Sequence, residues 1–334
     1  MKRALVILCA LALAASAAET LENEFLKLTV AERGGKIVSL VDKGAGREIV
    51  QGQDLYGGLG KTVDSLFQNI ESLSARFRLA KEGDTVKAAC VMETGTLAGL
   101  EVERRFRVRP GIAAVEITER VRSTTQLNRL APRLHNFFRF GDQADFFLPS
   151  ASGLAAVPMR DCRLQKLQLV GDLREPWLAA LDGEAGVALL VTVGAALDYA
   201  FVWAGQTLEV SFPAVALRPV AEADVWECQY LLLPFRGRGK VVAVTPEAVV
   251  TVDGAQAHAW FPKDLGRRRA TLGGRPLGEA DCRAGAQFGF AAGAGDLSLA
   301  AATGEVTVPL PAWKPRQALH QMPKRQEIGV NGFY

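Results

Sequence analysis

From residue 24 to about residue 310, apolar and polar positions alternate with a period of two, in short runs broken by Gly, Pro, Asp and Asn. Leu26, Leu28 and Val30 alternate with Lys27 and Thr29, and a Gly34-Gly35 turn leads into the run Ile37–Val41. The same period marks ALLVTV (188–193), TLEVSF (207–212), WECQYLLL (226–233), KVVAV (240–244), AVVTV (248–252), AQFGF (286–290), DLSLA (296–300) and EVTVPL (305–310). Period two is the signature of strands with one buried face. Long amphipathic helical patterns are nearly absent; only residues 62–70 could form a short helix or a loop. Many short strands with frequent turn signals predict an all-β protein of the sandwich or barrel class.

The pattern also divides the chain. A Gly-rich break, RGRGK, follows Leu233-Pro234-Phe235, and the strands beyond it are shorter and rich in Ala and Gly. The expected organisation is a leader at 1–18, a large antiparallel β-sandwich at 19–240, a small β-domain at 246–310 and a basic extended tail at 311–334 carrying Lys314, Arg316, Lys324 and Arg325.

One hairpin carries a geometric expectation. With Pro110-Gly111 as the central residues of a two-residue turn, Phe106 opposes Val115, Arg104 opposes Ile117 and Val102 opposes Glu119. Arg104 and Glu119 then lie diagonally on a face otherwise made of Val102, Phe106, Val108, Val115, Ile117 and Val121. Charges on such a face either pair structurally or line a polar site. In RLHNFFRF, alternation puts Leu134, Asn136, Phe138 and Phe140 on one side and Arg133, His135, Phe137 and Arg139 on the other. The second strip offers donors for hydroxyl or carboxylate oxygens and a ring to stack on a sugar, although a merely solvated face would look the same. Among the five tryptophans, Trp177 begins a strand after Glu175-Pro176 and is the best candidate for a sugar-facing platform.

Composition narrows the function classes. MKRALVILCALALAASAAET has a basic start, an apolar run and small residues at Ser16-Ala17-Ala18, which is the layout of a secretory signal peptide too short to span a bilayer. Of 39 Lys and Arg, Lys2 and Arg3 fall in the leader, which leaves 37 against 36 acidic residues. A nearly neutral mature chain argues against nucleic acid as a partner. A secreted or periplasmic protein without membrane insertion is expected. Cys90, Cys162, Cys228 and Cys282 remain after Cys9 is removed with the leader, and export leaves both disulfides and buried free thiols open. His135, His258 and His320 are widely spaced, so no metal and no cofactor is expected; a calcium site at Asp142 and Asp145 has no motif behind it. Oligomeric state is not encoded in any pattern.

The opening of the mature chain, LENEFLKLTVAERGGKIVSLVDKGAGREIV, resembles the galactose mutarotase-like superfamily through Gly34, Gly35, Asp42, Lys43, Gly46, Arg47 and Glu48. ITERVRSTT and the closing WECQYLLLPF strand fit the same order, over roughly residues 21–236. The resemblance implies a β-supersandwich with a concave sugar-binding face. Aldose 1-epimerases of that superfamily use a histidine acid and a glutamate base on opposite sides of the sugar ring. His135 in LHNFF and Glu209 before Phe212-Pro213 match those two positions. The chain departs from the superfamily where GGLGKTVDSL replaces an Asn-Arg substrate motif, and it lacks a His-Asp-x-Asp-His-like segment, which marks it as a divergent relative.

Three functional readings follow. One is a carbohydrate-binding protein without strong catalysis. The second is an enzyme on the same scaffold: an epimerase using His135 and Glu209, or a polysaccharide lyase using Arg133 or Arg139 with His135, Tyr199 or Tyr230. The third is a non-catalytic structural or assembly protein of the cell envelope. Arg133, Arg139, Phe137, Arg104, Glu119 and Trp177 are the candidate carbohydrate-binding residues.

Overall fold

A computed structural model describes residues 18–50, 75–124, 128–130, 132–165, 168–194, 197–203, 207–219 and 224–316. The leader through residue 17, the segment 51–74 with the expected helix or loop at 62–70, and the tail from 317 lie outside the described residues. Within them the chain is nearly all strand, with short 3-10 turns at Gly95–Leu97 and Met159–Gln165.

Two layers form the body. In the first, Ala18–Glu22, Leu26–Ala31, Lys36–Asp42 and Arg47–Glu48 follow one another in space, and a second group orders Arg133–Phe137, Thr207–Ser211, Tyr199–Trp203 and Gln168–Gly171. An antiparallel bridge between Val50 and Phe138 joins the two groups. Opposite lies a ten-stranded sheet running from Pro315–Arg316 through Gly153–Pro158, Asp145–Ser150, Trp177–Asp182, Ala185–Val193, Val225–Arg236, Val115–Ser123, Leu100–Arg107 and Thr85–Val91 to Arg78–Glu82. Leu28, Leu40, Leu134, Val202 and Val210 from the first layer meet Val86, Phe106, Ile117, Val121 and Leu189 from the second in one core. Alternation explains the layering, because each strand turns every second side chain to the facing sheet.

The hairpin register differs from expectation by two residues. Phe106 opposes Ile117, Val102 opposes Val121, and Arg104 opposes Glu119 directly. The tight turn does close, with the Ile112 N–H donating to the Arg109 carbonyl at 3.3 Å, but Ile112 also bridges Lys263 and the Ala113 N–H donates to the Pro262 carbonyl, so the hairpin ladder resumes only at Arg107 and Glu116. A shift of two preserves the face, so the apolar set stays buried and the two charges meet. Arg104 Nε lies 3.2 Å from Glu119 Oε2, with the side chains 2% and 0% exposed. Arg104 Nη1 donates to the Gly34 and Gly35 carbonyls at 3.0 and 3.1 Å, and its guanidinium sits 5.4 Å from the Phe77 ring centroid. Gly35 has φ +54, and a Cβ there would fall 2.5 Å from Phe77. The Gly-Gly turn therefore packs against the buried ion pair from the facing layer.

Beyond residue 240, Lys240–Val244, Val249–Asp253, Gln256–Trp260 and Gln287–Ala291 form one four-stranded sheet. Arg275–Asp281, Arg267–Leu272, Gly295–Ala301 and Gly304–Leu310 form another, with a separate core of Val250, Phe261, Leu272, Phe290, Leu297 and Leu299. A third cluster joins these strands to the ten-stranded sheet through Phe147, Trp177, Phe235, Val249 and Trp260. After Leu310 the chain returns: Trp313 Nε1 donates to the Val242 carbonyl, Lys314 O accepts from the Leu154 N–H, and Pro315–Arg316 pairs in parallel with Leu154 and Ala155. Gly153 permits this approach, since a Cβ would stand 2.2 Å from Lys314 O.

Of the two cysteine readings, the free-thiol one holds: Cys90, Cys162, Cys228 and Cys282 are all unbridged. Burial pushes the Cys162 thiol up to about 12 and the Cys282 thiol up to about 11, far from the range of a reactive thiolate.

Candidate functional site

Leu134, Leu208, Val210, Ala200 and Val202 belong to the main core, so alternation turns Arg133, His135, Glu209, Ser211, Tyr199 and Phe201 to the other face of their sheet. The register aligns them in rows. Arg133 opposes Ser211, which opposes Tyr199, and His135 opposes Glu209, which opposes Phe201. His135 Nε2 lies 3.0 Å from Glu209 Oε2, and Arg133 Nη1 lies 3.0 Å from Glu209 Oε1. The second guanidinium nitrogen of Arg133 donates to the Tyr199 hydroxyl at 3.2 Å, and its charge lies 5.7 Å from the Phe201 ring centroid. Tyr199 and Phe201 meet edge to face at 4.9 Å.

Arg133, His135 and Glu209 are 7%, 4% and 2% exposed, whereas Tyr199 is half-buried. The cluster therefore meets solvent at the tyrosine. One hydroxyl in it, Ser211 Oγ, is buried and has no hydrogen-bond partner among the described residues. A charged group removed from water needs its lone pairs and protons satisfied. Here the carboxylate has a guanidinium on one oxygen and an imidazole on the other, an arrangement that fixes all three side chains relative to one another.

The other expected site residues separate. Arg139, two positions beyond its strand, is exposed and lines a cleft with Gly46, Arg47, Glu48, Phe140 and Gly141. Phe137 pairs with Thr207 in the backbone register, but its side chain lies outside the described residues. Arg104 and Glu119 are in the core between the layers and line no open site, which favours the structural-pair reading of that hairpin. Trp177 corrects the expectation of a sugar platform: it is 2% exposed and packs among Phe147, Leu190 and Trp260. The run WLAALD is apolar on both faces, so alternation could not tell its sides apart. Asp145, considered for calcium, is half-buried, and burial pushes its carboxyl up.

No family model matches the sequence, and no curated protein matches it. Solved structures do. A candidate aldose 1-epimerase from Escherichia coli K12 superposes with TM-score 0.53 at 12% identity, over 67% of this chain and 100% of the other. An aldose epimerase homologue from C. elegans gives TM-score 0.50 at 12% identity, over 67% and 100%. The chain has the galactose mutarotase-like fold. A TPR-domain containing protein from Parabacteroides distasonis also carries a match, with TM-score 0.52 at 11% identity over 69% of this chain and 49% of that one.

Against the galactose mutarotase-like expectation, one geometric point changes. An acid and a base working from opposite sides of a ring require a gap between them. His135 and Glu209 instead sit on paired positions of adjacent strands and touch. Sequence reading selected both residues but not their contact, because 74 positions separate them and no local pattern encodes which distant strands pair. Ser211 carried no signal beyond its place beside Glu209 in the alternation.

Proposed function

We propose that this protein is an exported carbohydrate-binding protein that holds a saccharide at the Arg133–His135–Glu209–Tyr199 cluster and does not act as an aldose 1-epimerase. The observation that carries this reading is the double capping of Glu209 by Arg133 and His135 on the face turned away from the core. A sheet face with a covering role alone is most cheaply apolar, and burying three ionisable groups without a use is costly. Guanidinium, imidazole, phenol and serine hydroxyl together supply the donors and acceptors that a sugar's hydroxyls require. Conversely, a general base must reach the proton it removes, and this carboxylate is engaged by its own neighbours.

The test combines two measurements on the mature chain. A glycan array is expected to show saccharide binding that Arg133→Ala weakens at least tenfold. Polarimetry of fresh α-glucose and α-galactose is expected to show no acceleration of mutarotation. Rapid mutarotation abolished by His135→Ala would overturn the non-epimerase reading, and an array without any bound glycan would overturn the carbohydrate reading.

A polysaccharide lyase is the second reading, favoured by the contact between Arg133 and the Tyr199 hydroxyl beside His135. Such chemistry places an arginine on a uronate carboxylate while a base removes the adjacent carbon-bound proton, the glycosidic C–O bond breaks to leave an alkene on one fragment, and the departing oxygen takes up a proton as the hydroxyl of the other. Ultraviolet absorbance of an unsaturated product, sought across uronate polymers, decides it.

A further inference from the structure

A second site lies where the two groups of the first layer meet. Gly46, Arg47 and Glu48 on one side and Arg139, Phe140 and Gly141 on the other line an open cleft of about 440 Å³, within the range of small-ligand pockets. Its charges are largely spoken for. Arg47 Nη2 donates to Asp182 Oδ2 at 2.6 Å and to the Arg139 carbonyl at 3.0 Å, and its guanidinium stands 5.0 Å from the Phe140 ring centroid. Asp182 Oδ2 also accepts from the Gly141 N–H at 2.8 Å. Glu48 accepts from the Ser39 hydroxyl and from the Leu40 and Val50 N–H groups, so both of its oxygens face inward bonds. Arg139 differs: its side chain is exposed, and no described residue pairs with it.

Pairing Arg47 with Asp182 and tying Glu48 into the backbone leaves Arg139 as the cleft's charge without a partner among the described residues. A Cβ at Gly46 would meet nothing within 4 Å, so the missing side chain there opens the cleft and does not relieve a contact. A planar fork of N–H donors on an exposed residue at the cleft suits a carboxylate held by two parallel hydrogen bonds. We propose that this cleft is an anion subsite for an acidic saccharide, with Arg139 gripping the carboxylate of a uronate residue. The saccharide part rests on the carbohydrate reading above; the carboxylate part rests on Arg139 alone.

Isothermal titration of the mature chain with trigalacturonate, its methyl ester and sodium sulfate tests this. Trigalacturonate is expected to bind at least tenfold more tightly than the ester, with affinity falling as salt rises. Arg139→Ala is expected to remove that tenfold preference, whereas Arg139→Lys retains part of it; Arg267→Ala, an exposed arginine on the sheets beyond residue 240, leaves it in place. Equal binding of acid and ester, or an Arg139→Ala variant that keeps the preference, overturns the subsite. Sulfate that competes as well as the trisaccharide overturns its saccharide character and leaves a plain anion site. Neutral glycans that bind on the array while the acid shows no preference would sink this inference and spare the carbohydrate reading; silence of every glycan would sink that reading first.

Discussion

Two buried arginine–glutamate pairs lie on cross-strand positions of this fold, and they are built for different ends. Arg104 and Glu119 stand inside the core between the layers, where the arginine's Nη1 donates to the Gly34 and Gly35 carbonyls and its guanidinium lies by the Phe77 ring. Arg133 and Glu209 stand on the opposite side of a sheet, where they also meet the side chains of His135, Tyr199 and Phe201. Backbone anchors cannot rearrange without moving a strand, so the first pair fixes how the layers meet. Side-chain partners can exchange bonds with an incoming hydroxyl, so the second pair can serve a ligand. The lesson is that burial alone does not separate structural charge from functional charge; the identity of the third partner does.

Breaking the core pair gives the largest expected effect. Glu119→Ala strands Arg104 in an apolar interior and is expected to cost about 3–5 kcal/mol in urea unfolding, while the double change Arg104→Met with Glu119→Leu recovers most of it. If the double variant were as unstable as the single one, the pair would have a role beyond satisfying itself. Next comes Gly35→Ala, which forces a residue at φ +54 to place its Cβ against Phe77 and is expected to cost about 1–3 kcal/mol by the same measurement. An undisturbed midpoint would show that the Gly-Gly turn is not held by Arg104.

Glu209→Gln should behave differently. It keeps the shape and one acceptor oxygen but removes the charge, and Arg133 sits next to a half-exposed tyrosine through which water can reach it. A stability loss of about 1–2 kcal/mol is expected, with a disproportionate drop of tenfold or more in glycan affinity. Stability and binding falling together in proportion would place this pair in the same class as Arg104–Glu119.

The smallest effect belongs to a third, solvent-facing set that serves as the reference. Burial raises the Glu103 carboxyl, but hydrogen bonds from Lys87 and Arg105 outweigh it and leave the folded value below the ordinary carboxylate range. A depressed folded pKa means that the stabilisation is complete above the unfolded value and is lost as pH falls through the folded one. Since the group is partly hydrated, Glu103→Gln is expected to change stability at neutral pH by less than about 1 kcal/mol and to flatten only the acid limb of the pH profile. A large loss at neutral pH would contradict the surface role.

Much of this was legible in the chain. Period two gave an all-β, two-layered protein, and Gly34, Gly35, the turn from Asp42 to Glu48 and the later strands gave the resemblance that the solved structures bear out as fold. The faces of the 101–122 hairpin could be read because a face survives any even slip, whereas the register could not, since residues 112 and 113 turn aside to Lys263 and Pro262 before the ladder resumes. In RLHNFFRF the split into core and polar sides is visible in alternation, but the strand ends at Phe137, Phe138 bridges Val50, and Arg139 lies beyond it at the cleft. The Arg47–Asp182 bond that shapes the cleft joins residues 135 positions apart, and nothing local announces it.

The parallel pairing of Pro315–Arg316 with Leu154 and Ala155 has a consequence for biosynthesis. Gly153–Pro158 has its other neighbour in Asp145–Ser150, so its outer backbone groups stay available until residues 315 and 316 have left the ribosome. A nascent or clipped chain that stops short of them carries an open seam that any extended peptide could occupy, its own copies included. Residues 315 and 316 thus cover this stretch of edge from outside the body's own strands.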